Sequence, residues 1–499
     1  MRIKVTFFCL FLVCVIFAQQ PPKREFRGTW IHTVGNREYR DMTSSEMQQH
    51  YRNLLDTFAI AGINVVVFQV RPQADAFFVS EYEPWSRFLT GVQGKAPDEP
   101  WDPLAFMVDE CHQRGMELHA WFNPYRVTSS DTEELCAEHL YYKKPYLFLK
   151  YGKQIYFDPG HPESREHTIN VIADVVKRYD IDAVHFDDYF YPYKVQYEEF
   201  PDEESFMNYH VADGFGRFEK NNWRRNNVNI LIRDLNQTIK EIKPWVKLGI
   251  SPFGVWRNKS TDPTGSDSRA LSNYDELYAD IKLWVEKGWI DYNVPQLYWA
   301  IGNPAADYEV LIKWWSENNF GQQLYIGQDI GRTINIRQND GTVENQLYRK
   351  MQMVRDNPNV HGNIWWSGYQ LFRNPGGLID SLATNYQRYP SLLPLYKHID
   401  STPPAPVKNL SGKKNKDGTI EFTWKVEPAK NEMDKAAYFC VYRFEANEKI
   451  NLEDATKILK IVRNNSYTAP TTGGKKHKYL VTAIDRLHNE SEPCKAVTF

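Results

Sequence analysis

From residue 24 to the late 390s the chain repeats one pattern, a short apolar run followed by a longer stretch with apolar residues at helical spacing. The runs read as strands: FRGTWIHT (26–33), INVVVFQVR (63–71), MELHAWFN (116–123) and IDAVHFDD (181–188). Four more follow at VKLGISPF (246–253), YNVPQLYW (292–299), QLYIGQDI (323–330) and GNIWWSG (362–368). Residues 163–180, 222–243, 274–288, 305–318 and 343–356 carry the period of amphipathic helices. Thr43 with Glu46 forms a capping box ahead of one helix, and Asp102–Pro103 supplies an N-cap and a first-turn proline ahead of another. Eight strands alternating with helices predict an α/β fold, a (β/α)8 TIM barrel with long loops. An open doubly wound sheet is the alternative, but no GxGxxG turn follows any strand.

The pattern changes at STPPAPV (401–407), where three prolines predict an extended linker. Beyond it IEFTWKV (420–426), AYFCVYRF (437–444) and KYLVTAID (478–485) alternate with period two, so 401–499 reads as a small β-sandwich, a spacer or carbohydrate-proximal accessory. At the other end, Arg2 and Lys4 precede an apolar run from Val5 to Phe17 that closes on Ala18. That run is short for a membrane span, and residues 1–18 read as a secretory signal peptide. The mature protein is expected in the periplasm or cell envelope, with no transmembrane span after cleavage. Cys111, Cys136, Cys440 and Cys494 would remain. They read as buried thiols, with a Cys440–Cys494 pair as the alternative.

Composition narrows the partner. A net charge of −3 argues against nucleic acid as a ligand. Aromatic residues make up 14% of the chain, and their flat apolar faces with polar edges suit amphipathic ligands such as sugars. In a TIM barrel the reacting groups lie at the C-terminal strand ends. There the chain offers Gln69 and Arg71 on strand two, then Trp121, Asn123, Tyr125 and Arg126 on strand three and its loop. His185, Asp187, Asp188 and Tyr189 follow on strand four, and Gln296, Tyr298 and Trp299 on strand six. Asp329 ends strand seven and Trp366 strand eight. No His/Cys/Asp cluster of a zinc hydrolase and no GxSxG elbow occurs, so neither a metal nor a cofactor is expected.

Glycosidic cleavage needs a proton donor and commonly a second carboxylate. Asp187 and Asp188 are the leading candidates for catalysis, and Asp329 is the remaining strand-end carboxylate. Strand alternation puts His185 and Asp187 on one face, and Asp188 joins them only if the chain has already bent. Arg71 and Arg126 could bind a substrate carboxylate or orient Asp187.

The motifs FRGTWIHT, NVVVFQVRPQADAFF, LHAWFNPYRV, YFDPGHPESR, DAVHFDDYFYP and WVEKGWIDYNVPQLYW, in chain order over residues 24–395, resemble those of the glycosyl-hydrolase-like family 10. The resemblance implies a barrel, export and glycan hydrolysis, with peptide-stripped peptidoglycan as the expected substrate. It maps the acidic strand-four motif onto Asp187–Asp188 and the strand-six motif onto Gln296 to Trp299. Trp424 and the strands around it resemble a fibronectin type III module. Against the DxxDxDxE of family 18 chitinases, Asp182, His185, Asp187 and Tyr189 stand at the four positions, so that family's final acid is replaced by Tyr189. Two further readings stay open: a glycan-binding protein without catalysis, and a hydrolase of dietary or host polysaccharide.

Overall fold

The computed structural model describes residues 20–36, 38–337, 340–470 and 473–499, so the expected signal segment lies outside the described residues. Eight parallel strands form a ring: β1 (Phe26–Ile31), β2 (Val65–Arg71), β3 (Glu117–Phe122), β4 (Ala183–Phe186), β5 (Lys247–Ile250), β6 (Tyr292–Asn293), β7 and β8 (Gly362–Trp366). Strand β7 is broken at Tyr325. Its first piece, Gln323–Leu324, pairs with β6, and its second, Ile326–Asp329, pairs with β8. Since β8 also pairs with β1, the sheet closes on itself as a TIM barrel.

Period-two alternation sorts each strand between two cores. Phe26, Trp30, Val65, Val67, Tyr292, Tyr325 and Ile364 pack inside the ring. Ile31, Val66, Phe68, Leu118, Val184, Leu248 and Trp365 face the helices. Each large apolar side chain buried this way stabilises the fold by about 1.5–3 kcal/mol. Gly249 is required by the inner core, because a Cβ there would lie 1.8 Å from the Tyr292 ring.

The helices begin where the capping signals lie. Thr43 and Glu46 form the reciprocal box at α1 (Ser44–Ile60), and Asp102 accepts from the amides of Leu104 and Ala105 at α2 (Pro103–Gln113). The stretch 163–180 becomes α3 (Pro162–Arg178), and 222–243 becomes α4 (Lys220–Ile242). The stretch 274–288 is not one helix. A turn at Asn273–Glu276 ends before Tyr278, whose φ is +53°, and Asp280 caps a new start, α5 (Ile281–Glu286), by accepting from Leu283 N. Then α6 (Tyr308–Glu317) and α7 (Leu347–Asp356) follow. The first residues of the expected 343–356 helix instead pair in a short ribbon, Val343–Glu344 with Ile336–Arg337.

Beyond residue 407, a three-stranded sheet (Lys408–Lys414, Thr419–Lys425, Ser466–Pro470) faces a four-stranded one (Ile458–Val462, Tyr438–Glu445, His477–Ile484, Val497–Thr498). The sandwich is seated against the N-terminal mouth of the barrel. The loop after Ile484 sends Leu487 into the inner barrel core, and Nε2 of His488 lies 2.9 Å from Oε1 of Glu117 on β3. Arg463 and Arg486 both pair with Asp180, just before β4. Among the described residues Cys111, Cys136, Cys440 and Cys494 are free, so Cys440 and Cys494 do not pair; Cys111 and Cys440 are buried.

Candidate active site

A cavity of about 380 Å³ opens at the C-terminal end of the strands. Its lining comes from around the ring. Trp30 lies in β1 and His32 follows it, Gln69 lies near the end of β2, Trp121 lies in β3 and Arg126 in the loop after it, and Asp187, Asp188, Tyr189 and Tyr193 follow β4. Ser251 and Phe253 follow β5, Gln296, Tyr298 and Trp299 follow β6, Arg332 follows β7, and Trp366 ends β8. Among the described residues no three His, Cys, Asp or Glu side chains converge as a metal site.

Strand β4 ends at Phe186, and the bend that follows lets Asp187 and Asp188 line the same cavity instead of alternating faces. Both are buried, at 4% and 3% exposure, but their environments differ. Asp187 accepts from Trp121 Nε1 at 3.0 Å, from Tyr189 N at 3.3 Å and from Asn123 Nδ2 at 3.5 Å. Burial raises its pKa, and the Arg126 guanidinium and these donors work against that rise. Asp188 accepts from the Tyr193 hydroxyl. Burial, and then the negative charge of Asp187, push it up to about 7. Burial thus raises both carboxyls, but donors and a guanidinium oppose the rise at Asp187, whereas a neighbouring negative charge adds to it at Asp188.

The amide of Gln69 is fixed from one side. Its Oε1 accepts from Thr33 N and Val34 N, both at 2.9 Å, which leaves a buried Nε2 with no protein partner on the cavity wall. Aromatic rings frame the rest. Trp366 meets Trp121 and Trp30 edge to face, each at 6.2 Å between centroids, and Trp299 meets Phe253 at 5.4 Å. The cavity is a box of indole and phenol faces around two carboxyls.

Other candidates lie behind this layer. Arg71 is locked by Glu83 and by the carbonyls of Asn123 and Pro124, and does not line the cavity. Burial opposes the Glu83 charge, yet Arg71 and His167 hold that carboxyl at about 2. Asn123 reaches the cavity only through Asp187, and Tyr125 is buried outside it. His185 lies one layer below the floor. Trp30 Nε1 donates to its Nε2 at 3.3 Å, which leaves its Nδ1 proton for the Tyr292 hydroxyl at 2.9 Å. Burial keeps that imidazole neutral. Asp329 is also outside the cavity. Its Oδ1 accepts from Arg332 N at 2.7 Å and so caps the turn Gly331–Ile334 that carries Arg332.

Several lining residues were not among the sequence candidates. Trp30 and His32 had a signal, since they continue the inward alternation of Phe26 and Gly28 past the end of β1. Ser251 and Phe253 had the same one on β5. Tyr193 and Arg332 sit in loops without a period, and nothing local marks them.

A TIM barrel with paired carboxyls buried among aromatic faces at its strand ends defines a glycoside hydrolase. The sequence comparisons agree: residues 25–342 match the Glycosyl hydrolase-like 10 family, and the chain belongs to that family. It is similar to glycosyl hydrolase YngK of Bacillus subtilis (strain 168), 42% identical over 498 residues, which is 98% of this chain and 96% of that protein. Glycosyl hydrolase DigH of Escherichia coli (strain K12) is 40% identical over 330 residues, 62% of this chain and 74% of that protein. Among solved structures, the PgaB (BpsB) glycoside hydrolase domain from Bordetella bronchiseptica aligns at a TM-score of 0.47 and 12% identity, covering 73% of this chain and 99% of that one. The family match stops ahead of β8, so Trp366 lies beyond it.

Proposed function

We propose that this glycoside hydrolase is exported and cleaves an N-acetylated, peptidoglycan-like glycan, with Asp188 as general acid and Asp187 as the ionised partner. The observation that carries the reading is the unequal pair at the end of β4. Asp188, with a pKa near 7, holds a proton at neutral pH and gives it to the glycosidic oxygen, which leaves with the bonding electrons. Asp187, held by three donors, keeps its negative charge beside the anomeric carbon as positive charge develops there. Water then supplies the hydroxyl of the new reducing end, and its other proton returns to the Asp188 carboxylate. The Tyr298 side chain, on the cavity wall, is available to the ring substituents, including an acetamido group. Export rests on the leader-like residues 1–18.

The test is hydrolysis by the mature protein of peptide-stripped peptidoglycan, chitin oligomers and plant polysaccharides, with products identified by mass. Asp188→Asn and Asp187→Asn should each lower kcat by about a thousandfold or more, with the circular dichroism spectrum unchanged. The wild-type rate should fall as pH rises through about 7, where Asp188 loses its proton. Normal turnover in Asp188→Asn would remove the acid assignment. Turnover confined to plant polysaccharide would replace the substrate.

A further inference from the structure

Guanidinium groups around the C-terminal face of this barrel are mostly spoken for. Arg71 pairs with Glu83, Arg224 with Asp202, and Arg257 with Asp262 and Asp275. The two that line the cavity differ. Arg126 gives Nε and Nη2 to the Pro72 carbonyl and lies over the Tyr189 ring at 5.3 Å. Arg332 is exposed and gives Nη1 to the Tyr298 carbonyl at 3.2 Å, while its amide is tied to Asp329. Neither forms an ion pair within 4 Å with a carboxylate among the described residues, and each keeps N–H groups without a protein partner. They come from the loops after β3 and β7, four strands apart in a ring of eight, and so stand on opposite walls.

Below neutral pH Asp188 is protonated, so the two guanidiniums outweigh the single charge of Asp187, and the cavity is net positive across these four groups. A guanidinium fork held at the rim by one backbone carbonyl is suited to a planar, two-oxygen anion.

We propose that Arg332 forms an anionic subsite that reads a carboxylate carried by the glycan next to the scissile bond. Arg126, on the opposite wall, supplies the field that keeps Asp187 ionised and favours an acidic strand. The reading rests on the proposed glycan hydrolysis and assigns the enzyme to acidic glycans. Two sources share that chemistry, a lactyl ether as in peptide-stripped peptidoglycan and a uronic acid. Asp329 becomes a positioning residue, because its carboxylate fixes the turn that carries Arg332.

The test compares peptide-stripped peptidoglycan strands with the same strands after carbodiimide coupling to methylamine, which turns each carboxylate into a neutral amide of similar size. A polyuronate forms the third arm. The wild type should show about a tenfold lower kcat/KM on the amidated strands, the scale of one charge-assisted hydrogen bond in a partly solvated site. Arg332→Ala should bring the ratio of the two rates close to one, mainly through KM, and Arg332→Lys should restore part of it. Affinities of Asp188→Asn for each glycan, measured by calorimetry, test the subsite even where no hydrolysis occurs. No hydrolysis of any arm by the wild type, with the carboxylate preference in binding intact, would overturn the catalytic reading alone. Equal affinity for carboxylate and amide, or a preference that survives Arg332→Ala, would overturn the subsite. Tighter binding of the polyuronate, dependent on Arg332, would assign the carboxylate to a uronic acid.

Discussion

At the N-terminal mouth of the barrel, Glu117 is buried with Lys247 Nζ at 2.6 Å, His119 Nε2 at 2.8 Å and His488 Nε2 at 2.9 Å. At the C-terminal mouth, Asp188 is as deeply buried and accepts from one tyrosine hydroxyl, with a second carboxyl as its chain neighbour. Burial works against the charge on Glu117, yet Lys247 and the two imidazoles hold its pKa well below the usual range. The same desolvation, reinforced by Asp187, pushes Asp188 up to about 7. Equal burial thus produces a fixed anion at one end and an available proton at the other. The difference lies in what surrounds each carboxyl: an ammonium and two imidazoles at one mouth, a tyrosine hydroxyl and a second carboxyl at the other.

The two ends are joined along the barrel axis. Ser251 on the cavity floor lies 2.9 Å from His185, which donates to the Tyr292 hydroxyl. Tyr292 donates to His119 Nδ1 at 2.8 Å, and His119 donates to Glu117. The β-sandwich closes this column through His488, so it completes the barrel's lower core.

The comparison is most exposed to a change at Lys247. Lys247→Met leaves Glu117 buried without its ammonium and should cost about 3–5 kcal/mol in urea unfolding; a cost under 1 kcal/mol would mean the lower end is not held by that pair. Asp188→Asn should move the opposite way. Because the folded-state pKa of Asp188 is raised, its share of stability is present at low pH and lost as pH rises from about 4 to about 7. The asparagine has no such loss, so the variant should be more stable than wild type by about 1–2 kcal/mol at pH 8 and equal to it near pH 4. A destabilised Asp188→Asn at pH 8 would break the contrast. The smallest effect is expected for His488→Ala, about 1 kcal/mol, since Lys247 and His119 still satisfy Glu117. A larger loss in that variant would sharpen the picture by making the sandwich the dominant closure of the barrel.

Particular residues mark how far the sequence could be read. The eight apolar runs all became barrel strands, because alternation and run length are local properties of a chain that buries both faces of a parallel sheet. The caps at Thr43 and Asp102 were legible for the same reason, as contacts within one turn. The break between Glu276 and Ile281 was not, because apolar spacing is blind to the αL residue Tyr278. Arg71 and Arg332 show the limit for function. Arg71 ends a strand and Arg332 follows one, but Glu83 and two carbonyls lock the first, while the turn held by Asp329 delivers the second to the cavity.

Residue order alone therefore carried the barrel, the β-sandwich and the pair Asp187–Asp188 at a strand end, since each depends on neighbours within a few positions. Tertiary structure decided that both carboxyls share one cavity, that burial and the Asp187 charge push Asp188 up to about 7 while Arg126 and three donors oppose the rise at Asp187, and that Asp329 lies outside. It also decided that the sandwich packs against the lower mouth through Leu487 and His488. Those outcomes turn on desolvation and on partners from remote segments, Trp121 and Arg126 for Asp187 and His488 for Glu117, which only closure of the ring brings together.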